Sequence, residues 1–423
     1  LLLRETIENQ SLIKEDKNLL TELVYGVLQR KYTLDYQLET FIKKQKKMQN
    51  WVKQLLRLSL YQIEYLERIP DHAIVNEAVN IAKIRGHKGI ASLVNGVLRN
   101  VLRKGVRDPK EIKNKHQQVS IQYSLPIWLV KEFIEELGLE ETIKLAASFN
   151  ERPKLSLRVN TNRISREDAI KDLKEEGYET KKSQISPFGI IALNGVPAES
   201  TLFKKGLISV QDESSMLVAP TLNVSANDYV LDACAAPGGK TMHIASNFLS
   251  AEAGGKIQSL DVHQHKINLI YQNAKRLGLK ELVQAKKMDA RNVLDDFAEK
   301  TFDRILVDAP CSGLGLIRRR PEIRYNKTKK DIHQLQELQL EIMNEVSKTL
   351  KENGELVYST CTLTKHENQS LVKKFLKENK EFEQIDVKLP TDTLQLDEDG
   401  SITIYPHQHQ TDGFFISRFK KKA

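Results

Sequence analysis

The stretch Tyr229-Val230-Leu231-Asp232-Ala233-Cys234-Ala235-Ala236-Pro237-Gly238-Gly239-Lys240 decides how the rest of the chain is read. A short apolar run ends in an acid, a loop of small residues follows, and a helical pattern runs from Thr241 to Phe248. Strand, small-residue loop and helix in that order build a nucleotide-type pocket at the carboxyl edge of an open α/β sheet. The loop has neither the G-x-G-x-x-G spacing of a dinucleotide site nor the G-x-x-x-x-G-K-[ST] spacing of a P-loop. By itself it predicts a small cofactor with a polar tail.

Outward from this stretch, the chain after Asp212-Glu213-Ser214-Ser215 alternates strand with helix, the mark of a parallel, doubly wound sheet. Strands are predicted at Tyr229–Ala233, Lys256–Asp261, Leu282–Lys287, Phe302–Asp308 and Gly354–Thr360. Helices are predicted at Thr241–Phe248, His265–Leu277, Lys330–Leu350 and Glu367–Asn379, and strand-like runs at Phe382–Val387 and Gly413–Phe419 close the chain. Upstream, Leu155–Asn160 alternates as a half-buried strand should. Ser165 with Asp168 opens a helix that Gly177 ends, and Tyr178–Gln184, Ile190–Leu193 and Leu207–Gln211 read as short strands. That order predicts a small ferredoxin-like α+β module.

From Leu1 to about Lys115 the pattern is helical. Leu19, Leu20, Leu23, Val24, Val27 and Leu28 share one face, as do Leu55, Leu58, Tyr61 and Tyr65. Val75, Ala78, Val79 and Ala82 form a third stripe, and Ile90, Leu93, Val94, Val97, Leu98 and Val101 a fourth, as in a helical bundle. A helical pair, Pro126–Leu137 and Leu139–Phe149, follows. The expected domains are therefore 1–115, helical; 116–211, the helical pair with the ferredoxin-like module; and 212–423, the α/β domain.

The totals narrow the classes. Sixty-five Lys and Arg against 56 Asp and Glu give a net charge of +9, compatible with a polyanionic partner. Lys43, Lys44, Lys46 and Lys47 form one basic run and Lys83, Arg85 and Lys88 another; each reads as solvated helix ends or as a phosphate-tracking face. Three cysteines without a C-x-x-C pair argue against a disulfide framework and a thiolate zinc site, so no metal and a reducing, cytoplasmic setting are expected. No run of 18 apolar residues predicts a membrane span. The opening Leu1-Leu2-Leu3-Arg4-Glu5 lacks an initiating Met and the order of a signal peptide, so the chain is expected to begin inside a longer sequence.

Asp232, Asp261, Asp289 and Asp308 sit at or just beyond predicted strand ends, at the edge where such sheets bind ligands. A lone Asp there is usually a turn former or cap; four at one edge point to a ligand. Asp261 is placed for ribose hydroxyls and Asp289 for an adenine amino group. Cys311, in Asp308-Ala309-Pro310-Cys311-Ser312-Gly313, and Cys361, in Ser359-Thr360-Cys361-Thr362, follow strands at the same edge. Cys234 reads as backbone packing beneath the loop. A nucleophilic thiol needs local help to ionise, and a helix amino terminus at Lys365–Glu367 with nearby basic residues is a candidate for it.

The segments 232–240, 308–313 and 359–362, with Ile317-Arg318-Arg319-Arg320-Pro321-Glu322-Ile323 and Asp412-Gly413-Phe414-Phe415, resemble the motifs of the RsmB/NOP family. Arg68-Ile69-Pro70-Asp71-His72-Ala73-Ile74-Val75-Asn76-Glu77-Ala78-Val79 resembles the central motif of the NusB-like helical fold. Together they resemble the bacterial small-subunit rRNA branch, with Thr362 where Ser is usual and Lys365-His366 where acidic residues are commoner. The resemblance implies a Rossmann-like methyltransferase domain using S-adenosylmethionine, acting on C5 of a single-stranded or loop cytosine in 16S rRNA, as a monomer and not on DNA. It implies Cys361 as nucleophile on C6, Cys311 as the second thiol that assists release, and Asp308 as the group that holds the base. Cys234, Ala235, Ala236, Pro237, Gly238, Gly239 and Lys240 would cradle the methionine part of the cofactor, with Asp261 and Asp289 on its nucleoside and Asp308 beside them. Lys240 faces the cofactor, the base or a phosphate. Arg318, Arg319 and Arg320 suit an RNA backbone or form a solvated charge run.

Two rivals remain at this point. A non-catalytic RNA-binding or antitermination factor has no use for paired cysteines. A DNA cytosine methyltransferase has its nucleophile at the place of Cys311 and needs none at Cys361. The same chemistry on large-subunit rRNA or tRNA would share every residue named.

Overall fold

The computed structural model describes residues 2–42 and 48–423, so the Lys43, Lys44, Lys46 and Lys47 run lies outside the described residues. The chain divides into two units: Leu1–Asn150 with Arg324–Asn326, and Glu151–Ile323 with Lys327–Ala423.

In the first unit the predicted stripes turn inward on helices Lys14–Gln29, Lys31–Glu39, Asn50–Tyr65, Asp71–Arg85 and Lys88–Lys104. Leu34, Leu56, Leu60, Val94 and Leu98 are wholly buried there, whereas Leu19 and Leu93, assigned to the same stripes, lie largely in solvent. Lys83, Arg85 and Lys88 are exposed. The expected helical pair is present within Ile127–Ser148: its two helices meet at a kink at Gly138, where φ of 78° takes a conformation that costs glycine least. Arg324 is wholly buried in this unit and donates to the carbonyls of Gln29 and Tyr123 and to Asn150 Oδ1, each at 3.0 Å, and to the Phe149 carbonyl at 3.3 Å. Tyr325 donates to the Leu28 carbonyl at 2.6 Å and sets its ring edge-on to Tyr32.

The second unit carries two sheets. Strands β1 (Leu155–Val159), β2 (Thr180–Lys182), β3 (Gly189–Ala192) and β4 (Ile208–Val210) form an antiparallel sheet in the order β2-β3-β1-β4. Helix Arg166–Glu175 packs on it, its amino terminus capped by Ser165, which accepts from the Asp168 N–H as the sequence predicts. This is the ferredoxin-like module.

The larger sheet holds β5 (Tyr229–Asp232), β6 (Lys256–Asp261), β7 (Val283–Lys287), β8 (Phe302–Asp308), β9 (Leu350–Thr360), β10 (Phe382–Ile385), β11 (Ile402–Ile404) and β12 (Phe414–Lys421). Its order is β10-β12-β9-β8-β5-β6-β7, with β11 beside β12. Strands β5 to β9 pair in parallel, and β10, β11 and β12 join antiparallel. Val230, Leu231, Ile305, Leu306, Val307 and Val357 are wholly buried, as strands covered on both faces require. The chain winds outward from β5 through β6 to β7, then returns to β8 on the other side, which puts a topological switch point at the carboxyl ends of β5 and β8. The fold is thus a helical NusB-like bundle, a ferredoxin-like module and a Rossmann-like domain. Among the described residues no helix is long and apolar enough to cross a membrane.

Candidate active site

A cavity of ≈ 880 Å³ opens at that switch point, within the range that small-molecule sites occupy. Cys234 and Ala236 line it from the loop after β5, Asp261 and Val262 from β6, Met288 and Asp289 from β7, Asp308 and Cys311 from β8, and Cys361 from β9. Five strand ends thus converge on one crevice because all five strands run the same way.

The acceptors gather on the β6 and β7 side. Asp261 is nearly buried; its Oδ1 accepts from the His263 N–H at 2.9 Å, and Lys266 Nζ stands 3.5 Å from Oδ2. Asp289 caps the turn that follows it, accepting from the Arg291 N–H at 3.0 Å, while the Arg291 guanidinium reaches its Oδ2 at 2.8 Å. That guanidinium holds the Asp289 carboxyl below its usual range. Two carboxylates at the ends of adjacent strands, in a crevice of this size, suit the hydroxyl and amino donors and the cationic sulfur of S-adenosylmethionine.

The small-residue loop divides its labour. Ala235 is buried and its N–H donates to the Leu260 carbonyl at 2.9 Å, which fixes the loop against β6. Gly238 takes φ of 97° and caps helix Gly239–Asn247, with Ile270 close by where a Cβ would stand. Pro237, Gly238 and Gly239 line a separate, smaller cleft with Arg158 and Arg276, so of the seven loop residues only Cys234 and Ala236 border the main cavity. Burial pushes the Cys234 thiol up, which keeps it protonated and unreactive. Asp232, one of the four strand-end acids, is wholly buried and does not reach the cavity. It accepts from Thr241 Oγ1 at 2.6 Å, and burial raises its carboxyl to about 7.

On the opposite side Lys240, left open by the sequence, pairs with Asp308 at 2.6 Å, and Ser359 donates to the other Asp308 oxygen at 2.8 Å. Cys311 Sγ and Cys361 Sγ lie 3.2 Å apart. The hydrogen bond with Cys361, together with burial, raises the Cys311 thiol well above its ordinary value.

Several expectations change. Helix Gln369–Glu378 begins beyond Lys365–Glu367, so no helix terminus starts there to assist a thiol. Glu367, in that loop, is instead a buried carboxylate that accepts from the Ser312 N–H and hydroxyl and from Thr362 and Thr364. Arg318 is buried, and Arg319 bridges Asp212 and Asp412 with both contacts at 2.7 Å. Neither belongs to a solvated run, and the acids that pair with Arg319 lie about a hundred residues away in sequence. Arg320 alone is exposed at the cavity rim, beside Glu322 at 3.2 Å. Sequence reasoning also missed Gly315: a Cβ there would stand 2.0 Å from the Gly413 carbonyl oxygen. Gly315 donates to the Cys361 carbonyl and accepts from the Gly413 N–H, both at 2.9 Å, so the Asp412-Gly413 motif locks the two cysteine loops together. Among the described residues no cluster of His, Cys, Asp or Glu is arranged to hold a metal.

Comparison with known proteins gives three family matches. The 16S rRNA methyltransferase RsmB/F model matches residues 219–420, the NusB family model 2–103, and that of the ferredoxin-like domain of RsmF/B-like methyltransferases 125–199. A probable ribosomal RNA small subunit methyltransferase B of Bacillus subtilis is 46% identical over 426 residues, covering 100% of this chain and 94% of its own. The crystal structure of PH0851 aligns with a TM-score of 0.81 at 26% identity, over 99% of this chain and 93% of that one. That of NSun6 from Pyrococcus horikoshii with SFG aligns with a TM-score of 0.61 at 26% identity, over 69% of this chain and 97% of that one.

Proposed function

The chain belongs to the RsmB/F family of S-adenosylmethionine-dependent 16S rRNA methyltransferases, and from that premise we propose that it methylates C5 of a cytosine in 16S rRNA through a covalent bond between Cys361 and C6 of the base. The observation that carries this reading is the pair of sulfurs 3.2 Å apart on the rim of the cavity that also holds Asp308.

Cytosine C5 is a weak nucleophile, and thiolate addition to C6 makes it enamine-like. The bound cofactor supplies an electrophilic methyl group on a sulfonium. Asp261 and Asp289 would hold its nucleoside, and Cys234 and Ala236, the loop residues that face the cavity, would border its methionine. Cys361, on the loop after β9 at the cavity rim, is the attacking sulfur, and it gives its proton to solvent in the open cavity as it adds. Its lone pair forms the C6–S bond, and the C5=C6 pair shifts onto C5, which takes the methyl group. Asp308 accepts from the exocyclic amino group. Lys240, ion-paired to it, steadies the carboxylate and lends positive charge where addition places electrons.

Once Cys361 is bonded to carbon, the partner that holds the Cys311 proton is gone. Cys311 then gives up its own proton to solvent in the open cavity, and its thiolate takes the C5 proton. The electron pair left on C5 restores C5=C6, the C6–S bond breaks, and its electrons return to Cys361. Because the reacting atoms must enter a crevice at the sheet edge, the target base is extruded from its stack, which costs least in a loop or single strand.

The test is Cys361→Ala in the full chain. It is expected to bind S-adenosylmethionine as the wild type does and to transfer no methyl group to small-subunit RNA. Wild-type turnover in that variant would remove Cys361 from the nucleophile role.

A further inference from the structure

Two loops from different strands must hold two sulfur atoms in register, and neither loop is a helix or a strand. Beside the backbone tie through Gly315, a side chain joins them, and it is an acid. Glu367 has no exposed surface, and its carboxylate accepts five hydrogen bonds. Two come from Ser312, the residue after Cys311: the N–H at 2.8 Å and the hydroxyl at 2.6 Å. Thr362, the residue after Cys361, donates at 3.2 Å, and Thr364 in the same loop at 2.9 Å. The fifth is the Gln339 amide at 3.1 Å, which also donates to the Pro310 carbonyl at 2.9 Å, on the other side of Cys311.

We propose that Glu367 is a positioning residue for the thiol pair: its buried carboxylate ties the Cys311 loop to the Cys361 loop and so holds the two sulfurs in register. This rests on the reading that Cys361 attacks and Cys311 assists release.

All five donors are neutral, so they orient the carboxylate without cancelling its charge. A buried negative charge acts strongly on its neighbours because little solvent screens it. The Glu367 charge is one of the causes that push the Cys311 thiol up, after the hydrogen bond with Cys361 and burial. Geometry and charge thus act in the same sense: the clamp brings the sulfurs together and disfavours the thiolate at Cys311. A merely space-filling polar residue would supply the first effect and not the second.

Glu367→Gln separates the two. The Ser312, Thr362 and Thr364 hydroxyls can rotate to accept from the new amide, so the shape survives while the charge is lost. In the full chain, alkylation of each cysteine by iodoacetamide is followed against pH by peptide mass spectrometry, beside kcat and KM for RNA methylation. In E367Q the midpoint for Cys311 is expected to fall by about one pH unit while that for Cys234 stays in place. The same variant is expected to lose about tenfold in kcat with KM for RNA unchanged. Wild-type alkylation and turnover in E367Q would overturn the proposal, whatever Glu367→Ala does to folding. If the alkylation shift appears while Cys361→Ala still methylates RNA, the clamp stands and the reading of the reaction fails.

Discussion

The three cysteines share a domain and a residue type, and their surroundings give them three different chemistries. Cys234 is pushed up by burial, Cys311 by its bond to Cys361, and Cys361 lies at the cavity rim. Their placement after strands was legible in the sequence; the 3.2 Å contact was not, because it joins loops 50 residues apart. The acids divide in the same way. Asp308 reaches the cavity and pairs with Lys240, so Asp308→Asn is expected to lower kcat by about 10²-fold with cofactor binding retained, measured by methyl transfer and calorimetry. Asp232 is internal. Its folded carboxyl titrates near about 7, against about 4 in an unfolded chain, so folding takes up a proton between those values and the contribution is lost as pH rises through them. The stability of the wild type relative to Asp232→Asn is therefore expected to fall between about pH 4 and pH 7 in denaturant titrations; a pH-independent difference would contradict this.

At the scale of elements, strands β5, β6, β8 and β9 could be read because each ends an apolar run in an acid or a Ser-Thr pair, while β7, Val-Gln-Ala-Lys-Lys, is read from its place in the strand–helix alternation. Strand β11 could not: Ile402-Thr403-Ile404 is three residues long and owes its state to pairing with β12. The Arg318-Arg319-Arg320 segment misled for a related reason. A charge run looks solvated until the acids that neutralise it, Asp212 and Asp412, are brought in by the fold. Gly315 shows the same dependence, since only the arrival of Gly413 makes a side chain there impossible. Gly315→Ala is expected to destabilise the second unit by roughly 1–3 kcal/mol, read from its denaturation midpoint, and to slow methylation by displacing the Cys361 loop. Unchanged stability and rate would show that the two glycine backbones can part at no cost.

At the scale of the whole molecule, three modules were legible from periodicity alone, as helical stripes, a short α+β alternation and a long strand–helix series. What periodicity could not show is that Arg324–Asn326, embedded in the last of these by sequence, belongs to the helical unit. Arg324 supplies four hydrogen bonds that tie together the carbonyls of Gln29, Tyr123 and Phe149 and the Asn150 side chain. A fragment of residues 1–150 lacks it, and is expected to melt below the same unit in the full chain, as hydrogen exchange of helices Lys14–Gln29 and Ile127–Ser148 would report. The net charge of +9 suits a polyanionic substrate, but the proposed chemistry rests on two sulfurs. The most direct measurement of that claim is denaturing electrophoresis of full-length Cys311→Ala incubated with small-subunit RNA and S-adenosylmethionine. The account predicts a denaturant-resistant protein–RNA band whose crosslinked peptide contains Cys361 and whose cytosine carries the new methyl group. Normal turnover with no such band would contradict it.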